Sequence, residues 1–288
     1  MTYAGDGSLM AGPECRPTRY GLRSVADVTQ DNSSEWQRGV QWDELACGYE
    51  PGVVLGQCNV EHRKSATRGF GNDTADPFTV YSGWECSSGA LPLGEAWNKA
   101  EELHRRNWWR SIERTFWTGL DQDGNDIRST LATADVTDLT PVDGALDITS
   151  GVAVLESFAG DCFDCEPIVH GNKGISTYLA GRSLILPDGD QVRFIGTGTL
   201  WAGGGGYLQT GPDESGESGD TLTGEGWLYV TGGVKITHSA TGFTPDKGDY
   251  AGSVDRLVND ITVYAENTVA IQIGCCVGAV RVTLSGCC

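Results

Sequence analysis

The chain has 288 residues, 39% hydrophobic and 20% charged, enough to bury a large core in one elaborate domain or two and too balanced for a disordered polymer. Its 39 acids against 20 bases leave a formal charge of −19, which repels phosphate and excludes a dedicated nucleic-acid binder, though not a container that only encloses nucleic acid. No stretch approaches the ~20 apolar residues that span a bilayer, and the opening Met1-Thr-Tyr-Ala-Gly-Asp-Gly7 lacks the basic and apolar regions of a secretory signal, so synthesis in a cytoplasm is expected.

Residues 1–50 show weak periodicity, with Trp36 and Trp42 scattered among turns, and read as an extended arm anchored by aromatics. Within residues 51–90, Val53-Val-Leu55 and Phe78-Thr-Val-Tyr81 flank a polar tip containing Glu61-His-Arg-Lys64, the pattern of a long hairpin. The clearest helix runs from Gly94 to Thr118 and stops at Gly119, a C-cap residue. Its apolar positions drift from Ala96, Ala100 and Leu103 to a rotated face at Trp109, Ile112 and Phe116, so its contacts should change along its length. Asp121-Gln-Asp-Gly-Asn125 is a turn, residues 141–158 a second helix, Ile168-Val-His170 a buried strand, and a third short helix ends at Leu179. Val192–Ile195 is a strand, Leu200–Tyr207 passes through four consecutive glycines, and residues 208–226 form a polar surface loop. Strands follow at Trp227–Val230, Val234–Ile236, Ile261–Tyr264, Val269–Ile273 and Val280–Leu284. The 41 glycines, well above the average of roughly 7%, fit such a turn-rich and strand-rich chain.

Residues that carry chemistry are sparse. Gly203–Gly206 could cradle a phosphate, but Tyr207 and Leu208 follow where a P-loop has Lys and Ser or Thr, so a tightly packed turn is the plainer reading. Cys162-Phe-Asp-Cys165 has the spacing of a zinc clamp or redox pair, and Cys275-Cys276 or Cys287-Cys288 could complete a four-thiol site. Adjacent cysteines are poor partners on one tetrahedral ion; disulfides or reduced structural thiols remain the alternatives. With Cys15, Cys47, Cys58 and Cys86 these make ten cysteines, many for a reducing cytosol and compatible with a protein that later works outside the cell. His62, His104, His170 and His238 sit in no catalytic signature, and Asn32-Ser-Ser and Asn72-Asp-Thr are chance sequons. Lys99, Arg105, Arg106, Arg110 and Arg114 crowd one helix. They either pair with Glu101, Glu102 and Glu113 or, with Trp108 and Trp109, face a neighbouring subunit or DNA.

The order of these features resembles the HK97-type capsid fold of tailed phages. The segment from Ala100 through Asn107-Trp-Trp-Arg110 to Phe116-Trp-Thr-Gly119 is similar to helices of actinobacteriophage structural proteins and, more loosely, of encapsulins. Ile168-Val-His-Gly-Asn172, Tyr178-Leu179, Gly203–Tyr207 and Gly211-Pro212 resemble a second patch, and Val254–Ala270 the closing strands. The resemblance implies an α+β fold with an N-terminal arm (1–50), an E-loop-like hairpin (51–90), a peripheral domain with a spine helix (91–150), an axial domain (151–245), and closing peripheral strands with a cysteine-rich tail (246–288). It implies a non-enzymatic virion protein without cofactor or metal, assembled in the host cytoplasm into pentamers and hexamers that enclose DNA without reading its sequence or touching a membrane. Decoration, portal or scaffold proteins are the further partners it implies. The Lys–Asn cross-link of HK97 cannot be placed here, so any covalent link would fall to the cysteines. A tail or head–tail connector protein is the competing reading, and a secreted disulfide-bonded β-protein a third.

Overall fold

Helix α1 (Leu93–Thr118) forms where the sequence is free of proline and rich in Ala, Glu and Arg, and it ends at Gly119 in the left-handed region, φ +68°. At about 1.5 Å per residue it is roughly 39 Å long, and it serves two cores. Ala96, Trp97 and Ala100 pack on Ile261, Val263 and Ala265 of one sheet. Ile112, Phe116 and Trp117 enter a second cluster fed by both sheets, with Ile236, Val269 and Ile271 from one and Ile168, Ala202, Tyr229 and Ala279 from the other. That change of partner is what the drifting apolar positions encode. The computed structural model describes residues 19–44, 71–87, 93–131, 135–162, 165–212, 224–249, 252, 254–255, 260–274 and 276–284.

The six-stranded sheet is organised by the 14-residue strand β15 (Asp260–Ile273). Along one edge it pairs over ten residues with β4 (Phe78–Ser87). Along the other run β12 (Val234–His238), β13 (Gly242–Thr244) and β14 (Val254–Asp255). The strands expected separately at Ile261–Tyr264 and Val269–Ile273 are one continuous strand, although the polar Glu266-Asn-Thr268 lies between them. Asn267 is instead buried and satisfied: its Oδ1 is 2.7 Å from Nε2 of His104 on α1, and its Nδ2 donates to the carbonyl of Ser239 at 2.7 Å.

The eight-stranded sheet has the order β5 (Val136–Asp138), β16 (Val277–Thr283), β11 (Glu225–Thr231), β7 (Ile168–Asn172), β10 (Leu200–Gly204), β9 (Gln191–Phe194), β8 (Ile185–Asp188), with β6 (Leu146–Asp147) also on β16. Its central strands β7, β10, β11 and β16 are apolar on both faces because both are covered. Val169, Trp201, Leu228, Val230, Val280 and Val282 pack on α2 (Ile148–Cys162) and α3 (Ile175–Gly181), while the alternate residues Ile168, Ala202, Tyr229 and Ala279 join the α1 cluster. β15 and β16 therefore lie in different sheets, so residues 246–288 are not one set of closing strands. The chain changes sheets in the turn around Gly274 and Cys276.

Two expectations near the N-terminus also change. The ribbon pairs β2 (Val40–Glu44) with β3 (Gly71–Ala75), whereas Phe78–Tyr81, expected as a hairpin leg, begins β4 of the six-stranded sheet. Asp76-Pro77 separates the two roles, since proline offers no N–H to continue a ladder. The expected leg at Val53–Leu55 and tip at Glu61–Lys64 lie outside the described residues. The described part of the expected arm is tied down: β1 (Asp27–Gln30) pairs in parallel with β12, and Leu22 and Trp36 are buried.

Candidate functional site

The basic helix face divides into inward and outward parts. Arg106, Arg110 and Arg114 recur every four residues on α1, which places them along one side, and with Arg105 they are exposed. Arg106 pairs with Glu102, which also lies 3.6 Å from Lys99, and Glu101 accepts from Lys247 at 2.9 Å. Such exposed pairs contribute only a few tenths of a kcal/mol each. Among the described residues no ion pair engages Arg105, Arg110 or Arg114. Trp108 and Trp109 are half-buried within their own chain: their rings lie 4.9 Å apart, Trp108 meets His238 edge-on at 5.1 Å, and the Arg23 guanidinium stands 5.4 Å over Trp109. Arg105, Arg110 and Arg114 thus offer an exposed surface, while the tryptophans hold the segment that enters from the N-terminus.

Beside the C-terminal half of α1 an open cleft of about 870 Å³ runs between Phe78–Tyr81 and the turn at Asp121–Asp126, with Arg114 on its wall. Its acids are partly committed to local structure. Asp76 binds the Arg128 guanidinium, which holds its carboxyl below the usual range. Asp121 accepts the amides of Asp123 (2.9 Å) and Asn125 (2.8 Å) and the Asn125 side chain, which lowers its pKa as well.

Inside the molecule, the glycine run serves packing. Gly203 and Gly204 belong to β10, and a Cβ on Gly206 would lie 2.2 Å from the carbonyl oxygen of Arg110, so the loop is pressed against the helix backbone. Glu113, expected as a surface partner for arginine, is buried and makes no ion pair among the described residues. It accepts the amides of Leu22 at 3.1 Å and Gly206 at 2.9 Å, and burial raises its pKa against the pull of those amides. The sequence does carry a sign of this: Glu113 follows Ile112 and lies one turn before Phe116 and Trp117, within the apolar arc. His170 is fully buried between the Tyr207 hydroxyl (3.1 Å) and the Thr231 hydroxyl (2.9 Å), and burial alone takes its pKa down to about 3. His104 is likewise shifted down by burial, while its bond to Asn267 opposes the shift.

Cys162, at the end of α2, is disulfide-bonded to Cys276 with a Cα–Cα distance of 6.4 Å, not to the nearby Cys165, whose thiol is free and exposed. Cys86 lies in β4 opposite Ile261. Cys15, Cys47, Cys58, Cys275, Cys287 and Cys288 lie outside the described residues.

These two sheets, joined by one long helix, match solved phage shells over nearly their whole length. The capsid of a native GTA particle computed with C5 symmetry superposes with TM-score 0.56 at 12% identity, covering 97% of this chain and 95% of that one. A structure of Mycobacterium phage Ogopogo gives 0.55 at 15% identity, with 96% of each chain covered, and the capsid of Myoviridae phage XM1 gives 0.54 at 11%, again with 96% of each. The chain has the tailed-phage capsid fold. No protein-family model matches the sequence, and no curated protein sequence does. The likeness therefore lies in the backbone path, as the HK97-type resemblance of residues 94–273 implied, and it extends the match to the chain as a whole.

Proposed function

We propose that this chain is a structural subunit that assembles with copies of itself into the closed icosahedral shell of a tailed phage, enclosing DNA. The observation that carries the reading is coverage: 95–96% of those capsid chains and 96–97% of this one superpose. The six-stranded sheet with α1 corresponds to the peripheral domain and its spine, and the eight-stranded sheet with α2 and α3 to the axial domain. The β2–β3 ribbon is the base of the E-loop-like hairpin, and the part of the arm that precedes the anchored Leu22 is the part that overlaps a neighbour. Pentamers and hexamers are the assembly units, and many modest contacts stabilise the lattice together. The role is structural rather than enzymatic, in a virion assembled in the host cytoplasm.

Exposed Arg105, Arg110 and Arg114 are the side chains of the basic cluster available to an acidic neighbouring subunit or to DNA, while Trp108 and Trp109 act from within. The free Cys165 and the cysteines of the arm and tail are the groups available for links between subunits. Decoration, portal or scaffold proteins would bind the assembled shell. Gradient sedimentation of the chain expressed alone tests the proposal. Particles of capsid size are expected; short tubes or single rings at every concentration would transfer the chain to the tail or connector class.

A further inference from the structure

At Glu113 three distant segments meet. Its Oε1 accepts from Leu22, 91 residues upstream, and its Oε2 from Gly206, 93 residues downstream. Both approaches are close. A Cβ on Gly21 would lie 2.2 Å from Oε1, and one on Gly206 would meet the backbone of α1 at Arg110 (2.2 Å) and Arg114 (2.9 Å). The two segments are also tied to each other and to the eight-stranded sheet. The amide of Gly203 donates to the carbonyl of Tyr20 at 2.8 Å, and Asn172 Nδ2 donates to the carbonyl of Tyr207 at 2.5 Å. Residues 20–22 are therefore strapped to β10 and to α1, and the glycine loop that follows β10 is strapped to the same carboxylate.

We propose that Glu113 is the positioning residue that sets where the N-terminal arm leaves the body of the subunit, and that it couples this take-off point to the seat of the glycine loop. The inference rests on the reading of the preceding residues as an assembly arm. A buried carboxylate with two amide donors resists losing either one. If the loop moves off the helix, Oε2 loses its donor, the carboxyl repacks, and the Leu22 amide loses its partner in turn. By reciprocity, pulling on the arm shifts the loop. A chain that occupies rings of different size in one shell would use this link to let arm direction follow the posture of the axial sheet.

The charged and titratable groups around the carboxyl are Lys173, which acts on it at longer range, Tyr207 of the loop, exposed Arg110 and Arg114 on its own helix, and Arg23, which is turned onto Trp109. Its pKa lies above the ordinary carboxylate value with the arm docked. Burial raises it while the amides of Gly206, Leu22 and Gly205 oppose the rise, so docking favours the protonated carboxyl and weakens as pH rises through the raised value.

Hydrogen exchange read by mass spectrometry on the full-length, unassembled chain tests the coupling. Gly206→Ala, which pushes the loop from one side, should accelerate exchange about tenfold or more in residues 203–208 and also in residues 20–24, the change that follows loss of a buried hydrogen bond. In a Glu113→Gln background the same substitution should produce no further change at residues 20–24. Acceleration confined to the loop, or additive effects in the double variant, would overturn the proposal. Should Gly206→Ala fail to fold, the wild-type pH profile decides. Protection of both segments should fall together as pH rises, and this joint dependence should vanish in Glu113→Gln; independent profiles would refute it. Exchange is read without assembly, so its outcome stands apart from whether shells form.

Discussion

Opening the Cys162–Cys276 bond probes how the two halves of the eight-stranded region are held. The bond closes a loop of 114 residues between the end of α2 and the turn that carries the chain from β15 into β16. Loop-closure entropy for a ring of that length gives about 5 kcal/mol of stabilisation through restriction of the unfolded chain. Neither cysteine is fully buried, so Cys276→Ser removes little packing and isolates the constraint. At roughly 2–4 °C per kcal/mol for a chain of this size, the melting temperature should fall by about 10–20 °C. The assay is thermal unfolding followed by tryptophan fluorescence on soluble chain with free thiols alkylated. It compares the oxidised protein, the reduced protein and Cys276→Ser, with the bond mapped by mass spectrometry beforehand. Cys165→Ser is the control, since that thiol is exposed and should leave the midpoint unchanged. If the oxidised form, reduced form and Cys276→Ser all melt within about 1 °C of one another, the entropic reasoning is wrong for this pair.

His170 should make the fold acid-sensitive. Its pKa of about 3 in the folded chain lies well below the ordinary 6.5, so the folded state binds fewer protons, and stability falls as pH drops from 6.5 towards 3. The loss approaches about 4–5 kcal/mol in order of magnitude, and acid titration by circular dichroism should show that this slope is absent in His170→Gln. Gly151→Ala would place a Cβ 2.3 Å from Val282, so α2 must shift on β16, and denaturant unfolding should register a loss of about 1–3 kcal/mol. Trp117 is fully buried and its indole N–H donates to the carbonyl of Thr210 at 3.0 Å, so Trp117→Ala should cost about 3–5 kcal/mol in the same assay. Arg110→Glu with Arg114→Glu should change the melting point by no more than surface substitutions do, about 0.5 kcal/mol each, yet reduce the yield of assembled particles on a sedimentation gradient.

The chain displays its local structure more openly than its pairing. Helix α1 is legible because a long proline-free run ends at a glycine, and the alternation in Leu228–Val230 and Val280–Val282 marks strands whatever they pair with. Partner choice is set by distant segments. Nothing local says that Phe78–Tyr81 lines up with Glu266–Val269 rather than with an adjacent hairpin leg, or that Val277–Thr283 crosses to the other sheet. Polar residues misled where they are buried. Asn267 resembles a turn residue until His104 stands opposite it, and Glu113 resembles a surface acid until two remote amides converge on it. The cysteine pairing was not legible locally either, since Cys162 finds its partner 114 residues away rather than at the neighbouring Cys165.

Negative-stain electron microscopy of the chain expressed alone, with and without reductant, tests the shell assignment most directly. Closed shells are expected, with reductant changing their robustness rather than their geometry. A monodisperse monomer at high concentration, with no shells even when candidate scaffold or portal proteins are co-expressed, would contradict it.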